Sequence, residues 1–207
     1  MSKGRGSKAA TEASQPRHIS MDPVDITDIV GGVIDTSLSI GSLVAKVIPT
    51  HRACSVELSN DTSAYSLCNP CVFVKSGHCS TPLPPVILPS TPATAQFSKT
   101  PYRAHGSAGV FTYDVCDAAR NVLAKVVVMF KVPFNKKKNP IMYGVGLFDV
   151  NRPCDCELYT EMSKNIGPFV SGRAKGPSLV YKGLNLSILA SMSDCYTPVM
   201  KLHVMEE

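Results

Sequence analysis

The hydrophobic period of this sequence changes near Pro49, and the change divides the 207 residues into parts of different structure. Between residues 25 and 48, apolar residues recur every three or four positions, whereas from residue 53 onward the dominant period is two. The first period is that of a helix and the second is that of half-buried strands. We therefore predict a flexible basic tail over residues 1–21, an amphipathic helix over 22–49 and a β-sandwich over 50–207.

The predicted helix has a narrow polar seam and a broad apolar face. Asp22 can cap the helix, Pro23 suits its first position, and Pro49 ends it. A helix over residues 25–48 would be roughly 36 Å long, enough to cross a hydrocarbon core of roughly 30 Å. The seam consists of Asp25, Asp28, Asp35, Ser39, Ser42 and Lys46, and the apolar face contains Ile26, Val30, Val33, Ile40, Val44 and Val47.

This pattern is compatible with two roles. The apolar face can pack on a folded domain and do nothing more, as most amphipathic helices do. As a single permanent span the helix would be poor, because each charge facing lipid costs on the order of 3 kcal/mol. That cost disappears if several copies assemble with their polar seams around water.

The predicted strands are short and closely spaced, which is typical of a sandwich or barrel. A second, shorter helix is predicted over residues 153–164, where Cys154, Leu158 and Met162 share one face. The expected fold is therefore mainly β, a β-sandwich flanked by two α-helices. The strand candidates are residues 53–60, 65–74, 86–88, 93–97, 108–115, 122–132, 142–150, 178–191 and 200–204.

The composition indicates which kind of binding partner and which cellular compartment to expect. Hydrophobic residues at 44% argue against global disorder, and the net charge of +5 favours anionic partners. Nucleic acid is disfavoured because the basic residues lack interleaved aromatic residues for stacking. The first 20 residues lack the apolar core of a secretory signal, so we expect a soluble protein made in the cytosol, with any release by a non-classical route.

No motif in the sequence indicates an enzyme or a cofactor. There is no G-x-S-x-G, no H-E-x-x-H and no G-x-x-x-x-G-K, and the five histidines are scattered. A zinc site is conceivable at the spacing C-x2-C-x6-H-C, but this spacing matches no common zinc finger. We predict free, partly buried thiols and no metal at its four residues, Cys68, Cys71, His78 and Cys79.

Five segments of the sequence carry a family resemblance: GGVIDTSLSI at residues 31–40, Ser76-Gly77, residues 106–110 with Tyr113, VVVMFKVPF at 126–134 and ELYTEM at 157–162. In this order they resemble segments of the actinoporins, the pore-forming cytolysins of sea anemones, and GGVIDTSLSI is similar to the family's N-terminal helix. The likeness covers about residues 26–206. The expected lack of a signal peptide and the segment SNDTSAYSLCNPCVFVKSGHCSTPLPP make the chain more similar to the actinoporin-like proteins of vertebrates.

The resemblance implies a mechanism in which soluble monomers bind a phosphocholine headgroup through aromatic residues at the target cell membrane. The N-terminal helix then enters the bilayer and lines the pore of a homo-oligomer. The seam residues would face the lumen, and their rings of carboxylates should favour cations.

The headgroup site of the family carries over only in part. Where the family has an aromatic run with tryptophans, this chain has FNKKKNPIMY and no tryptophan at any position. We therefore predict anionic headgroups, with phosphocholine as the alternative, and expect Ile141 and Met142 to insert. The predicted headgroup residues are Ser76, Ala108, Lys131, Pro133, Phe134, Lys136, Lys137, Lys138, Asn139, Met142, Tyr143 and Tyr159.

The resemblance also allows a second function, that of a binding module, because carbohydrate-binding proteins of fungal fruit bodies have the same sandwich. A non-lytic lipid- or carbohydrate-binding module would have no need for a polar seam maintained over almost seven turns. The seam therefore favours the pore former.

Overall fold

The computed structural model describes residues 52–207, which form two six-stranded sheets and one short helix. The predicted tail over residues 1–21 and the predicted helix over 22–49 lie outside the described residues. The strands are β1 (Ala53–Asn60), β2 (Ser66–Ser76), β3 (His78–Thr81), β4 (Val86–Ile87), β5 (Thr91–Ser98), β6 (Ser107–Cys116), β7 (Val122–Val132), β8 (Met142–Phe148), β9 (Val170–Arg173), β10 (Leu179–Gly183), β11 (Leu186–Met192) and β12 (Val199–Glu206), and helix α1 (Cys156–Ser163) follows β8.

The two sheets have the strand orders β10-β11-β12-β1-β5-β3 and β4-β2-β6-β7-β8-β9, which we call the first and second sheet. Most neighbouring strands are antiparallel, but β1 and β12 pair in parallel. The hydrophobic core lies between the sheets and includes the ring of Phe97, whose centroid is 4.5 Å from that of Phe130. The predicted mainly β sandwich is confirmed.

Strand β7 shows how the sequence produces layers. Val126, Val128 and Phe130 point into the core between the sheets, whereas Val127 and Met129 point to the outer face of the second sheet. Both faces of this strand are buried, because α1 covers part of the outer one. The sequence of this strand is therefore an almost continuous run of apolar residues and not an alternation of apolar and polar residues.

Helix α1 begins later than predicted because Asp155 caps it. The carboxylate of Asp155 accepts a hydrogen bond from the backbone N–H of Leu158 at 2.9 Å, and Glu157 lies in the first turn. Its buried residues Leu158, Tyr159 and Met162 pack on the outer face of the second sheet. In the part of the chain from residue 52 onward, no helix is both long and apolar enough to cross a bilayer.

The strands differ from the prediction at three places. The predicted strand over residues 178–191 is the hairpin β10–β11, because Leu184 and Asn185 both adopt positive φ, 53° and 59°, and turn the chain. Strands β3 and β9 were not predicted from the sequence. Both have four residues, too few to show a clear period.

Candidate functional site

Five side chains from five neighbouring strands line up at one end of the second sheet. The strand register pairs Ser76 with Ala108, Ala108 with Lys131, Lys131 with Met142, and Met142 with Arg173. Residues paired across strands point to the same face, and Ala108 packs in the outer cluster with α1. Strands lie about 4.8 Å apart, so this row, which we call the end row, spans about 19 Å of the outer face.

The end row carries two cationic side chains. Lys131 and Arg173 lie on either side of Met142, two strand spacings or about 10 Å apart. Neither forms an ion pair with any residue between 52 and 207. Within this part of the chain, both charges are therefore available to an anion. Lys131 was predicted from the sequence, but Arg173 was not, because the short strand β9 that carries it was not predicted.

Tyr159 stands on α1 above the same face of the sheet. Its ring centroid is 6.3 Å from that of Phe73, and its side chain is 7% exposed. Burial raises the pKa of the Tyr159 phenol, with the neighbouring Cys156 as a second cause, so the group stays neutral. Tyr159 therefore supports the outer face mainly by packing and presents only a small surface to solvent.

Two predicted residues lie on the opposite side of the sheet. Tyr143 follows Met142 directly, and successive side chains of a strand point to opposite faces. Tyr143 and Ile141 are each 1% exposed and belong to the core between the sheets. The predicted headgroup contact of Tyr143 and the predicted insertion of Ile141 are therefore corrected, since neither side chain reaches the end row.

The loop after β7 begins with Pro133 and Phe134, and Arg52 holds it in place. The guanidinium of Arg52 donates to the backbone oxygen of Phe134 from Nε at 2.9 Å and from Nη2 at 2.7 Å. The same guanidinium lies 4.1 Å from the ring centroid of Tyr196 and 5.3 Å from that of Phe134. Phe134 is 43% exposed, so it is the one large apolar side chain that this loop presents to solvent.

The consecutive lysines of this loop are not equivalent. Lys136 forms an ion pair with Asp194 at 2.8 Å, which neutralises much of its charge. Lys137 and Lys138 are exposed, and their backbone N–H groups donate to the side-chain oxygen of Asn135. The loop therefore offers two cations, beside the exposed Asn139, where the sequence predicted three.

A basic pocket adjoins the end row at Ser76. The cavity has a volume of about 390 Å³ and is lined by Lys75, Ser76, Gly77, Thr100, Arg103 and His105. Gly77 makes the turn possible, because it has φ +92° and a Cβ there would lie 2.3 Å from a backbone oxygen. The hydroxyl of Ser76 donates to the backbone oxygen of Gly106 at 2.7 Å, which fixes the wall of the pocket. Ser76 was predicted from the sequence as a site residue, whereas Lys75, Arg103 and His105 were not.

The sequence matches the family model described as sea anemone cytotoxic protein over residues 28–205. This match spans far more than half of the chain. The chain belongs to the sea anemone cytotoxic protein family. The predicted resemblance to the actinoporins is thereby confirmed.

One solved structure of another protein has a similar fold. The chain is similar to the lipid binding protein Nakanori, with a TM-score of 0.60 at 13% identity, over 78% of this chain and 74% of that one. It is also similar to the lectin XCL of Xerocomus chrysenteron, at 11% identity over 75% and 99% of the two chains. The TM-score of that second match is 0.41. No curated protein matches the sequence.

The three cysteines and the histidine of the conceivable zinc site lie on two different sheets. Cys68 and Cys71 lie on β2 in the second sheet, whereas His78 and Cys79 lie on β3 in the first. Residues 52–207 contain no group of three or more side chains placed to hold a metal ion. The eight cysteines, which all fall in this range, are free thiols.

Proposed function

We propose that this protein is a pore-forming, cytolysin-like protein that binds membrane phospholipids as a soluble monomer, oligomerises and inserts residues 22–49 as a helix. The observation that best supports the binding step is the end row. It places Lys131 and Arg173, without ion-pair partners among the described residues, on one surface beside an exposed loop. Phosphate oxygens are suitable ligands for two such cations, because charge-assisted hydrogen bonds are the strong ones.

The same surface favours anionic headgroups. Lys131, Arg173, Lys137 and Lys138 would each contribute roughly 1 kcal/mol near an anionic membrane, or about 4 kcal/mol before entropy and salt are counted. Recognition of choline depends on aromatic faces. Tyr143 is buried and Tyr159 is nearly so, which leaves Phe134 as the one open ring among the predicted contacts. Pro133 and Met142 would add apolar contact with the lipid.

The insertion step rests on the sequence of residues 22–49. In an oligomer, the face with Val30, Val33 and Val44 would contact lipid, and the seam with Asp28 and Asp35 would line the water-filled lumen. Rings of carboxylates attract cations and repel anions. We therefore expect the pore to conduct cations in preference to anions.

Vesicle flotation tests the headgroup, and calcein release from the same vesicles tests the pore. At 0.15 M salt, we expect binding and release with phosphatidylserine in phosphatidylcholine, and much weaker binding to sphingomyelin in phosphatidylcholine. Binding should fall at 1 M salt, where the screening length drops from about 8 Å to about 3 Å. Stronger binding to sphingomyelin than to phosphatidylserine would refute the anionic headgroup. Electron microscopy of the leaking vesicles should show rings.

Charge reversal in the seam tests the lumen. In the double variant Asp28→Lys and Asp35→Lys, the carboxylate rings become ammonium rings, so the selectivity of the pore should shift from cations to anions. The measurement is the reversal potential across a planar bilayer in a potassium chloride gradient. A matched variant, Asp22→Lys, changes a charge at the predicted cap instead of the seam and should keep the cation preference. An unchanged reversal potential in the double variant would exclude these residues from the lumen.

A non-lytic lipid- or carbohydrate-binding module is the second candidate. It is favoured by the lack of tryptophan and by the single exposed ring, Phe134, in the loop where the resemblance places an aromatic run. Such a protein would float with vesicles, or with glycan-bearing vesicles alone, without releasing calcein. Release together with flotation would exclude it.

A further inference from the structure

Two cysteines that are far apart in the sequence both lie on the outer face of the second sheet. Cys71 lies on β2 opposite Thr112 of β6, and its side chain is exposed. Cys154 lies in the irregular segment just before α1, with its sulfur 3.6 Å from the backbone oxygen of Val110. Val110 belongs to the outer cluster, and Thr112 lies two residues further along the same face. Both cysteine side chains therefore lie over the same short stretch of β6, from Val110 to Thr112.

A second pair of neighbouring cysteines, Cys68 and Cys116, differs in geometry. The register pairs Cys68 with Asp114 and Ser66 with Cys116, so the two cysteines are diagonal neighbours within one sheet. Diagonal side chains have Cβ atoms up to about 7–8 Å apart, whereas a disulfide needs about 3.5–4.5 Å. The hydrogen-bonded ladder of the strands prevents them from closing this gap. Cys154 has no such restriction, because it lies outside both sheets.

We propose that Cys71 and Cys154 are an oxidisable dithiol, whose disulfide joins strand β2 to the segment that leads into helix α1. The oxidant would be a small disulfide such as glutathione disulfide. This inference is independent of the proposed membrane function, since it concerns the outer face beneath α1 and needs no lipid.

The reaction proceeds by two thiol–disulfide exchanges. The thiolate of the exposed Cys71 attacks glutathione disulfide, which forms a mixed disulfide and releases one glutathione. The sulfur of Cys154 then loses its proton to water and attacks the Cys71 sulfur, which releases the second glutathione. Two protein thiols are oxidised, and one glutathione disulfide is reduced to two molecules of glutathione.

The second exchange should be the slow one at neutral pH. In the reduced protein, burial raises the pKa of Cys154 to about 12, with a smaller contribution from Cys71. The contribution from burial persists in the mixed disulfide, where Cys71 no longer carries a thiol. At pH values below this pKa, each unit of pH raises the fraction of Cys154 in the thiolate form about tenfold. Closure of the mixed disulfide should therefore accelerate between pH 7 and pH 9.

The disulfide would hold α1 on the sheet. Cys154 lies five residues before Tyr159, whose ring contacts Phe73 two positions after Cys71. The link would close a loop of 83 residues (154 minus 71). A loop of this length is expected to raise the melting temperature by about 10 °C.

The test uses the reduced full-length protein, treated with glutathione disulfide at pH 8, alkylated and digested for mass spectrometry. We expect a loss of 2 Da, one cross-linked peptide pair joining Cys71 to Cys154, and a melting temperature about 10 °C higher that dithiothreitol reverses. Cys71→Ser should abolish all three changes. Cys195→Ser, which removes an exposed thiol in the loop between β11 and β12, should leave them intact.

Two results would overturn the proposal. One is a stable glutathione adduct on Cys71, with Cys154 still open to alkylation after unfolding. The other is a cross-link from Cys71 to Cys156 or to Cys116 in place of Cys154. Because Cys71 is exposed on a strand surface, its replacement by serine is expected to leave the fold intact, which circular dichroism can verify.

Discussion

Reversing both cations of the end row, in the double variant Lys131→Glu and Arg173→Glu, should weaken binding to phosphatidylserine vesicles by roughly 1,000-fold. Each replacement removes an attraction of roughly 1 kcal/mol and adds a repulsion of similar size, so the total is about 4 kcal/mol. Lys131 and Arg173 lie on the same face, two strands apart, and would meet one membrane surface together. The measurement is vesicle flotation at 0.15 M salt over a range of lipid concentrations.

A matched control exists on the first sheet. Lys182→Glu with Lys201→Glu changes the net charge by the same amount at two exposed lysines of β10 and β12. Their ion pairs with Glu207 and Glu57 are exposed on at least one side and contribute about 0–1 kcal/mol each, so the variant should stay folded. We expect less than a tenfold loss of binding. If both double variants weaken binding equally, the net charge and not the end row controls attachment.

A single acidic residue on the apolar face of the predicted helix should separate binding from leakage. Val33→Asp would place a carboxylate against lipid at a cost of about 3 kcal/mol for each inserted chain, which corresponds to a factor of about 150. Calcein release should therefore fall by at least 100-fold. Flotation should be unchanged, because attachment precedes insertion and uses the sandwich.

Ser39→Asp is the control for this experiment. It adds the same charge to the same predicted helix, but on the seam, where the side chain would face water. Its calcein release should stay close to that of the unmodified protein. If Val33→Asp releases calcein at the normal rate, residues 22–49 do not insert with this face toward lipid, and the pore mechanism fails.

The strands that follow a clear period were the easiest to predict. Strand β1 and strand β7 begin and end as predicted, because alternation or a continuous apolar run extends over their full length. The hairpin turn at Leu184 and Asn185 was missed because neither residue is glycine, although asparagine tolerates positive φ. Strand β9, with the sequence VSGR, is held mainly by its pairing with β8, which no local pattern reveals.

The candidate site was predicted only where the sequence carried local information. Lys131 and Ser76 were found through the resemblance, whereas Arg173 joins the end row through strand pairing. The ion pair of Lys136 with Asp194 connects residues 58 positions apart, so the lysine run alone could not show which charges are neutralised. Tyr143 could have been excluded from the sequence, since it cannot face the same way as Met142 within one strand.

Strand β1 lies inside its sheet, between β12 and β5, and not at an edge. It pairs with β5 over residues 53–60 and with β12 over residues 55–60. Tension applied to the chain ahead of residue 52 would have to shear two hydrogen-bonded ladders at once, whereas an edge strand would peel away one bond at a time. The sandwich should therefore withstand mechanical load from the preceding segment without unravelling from its first strand.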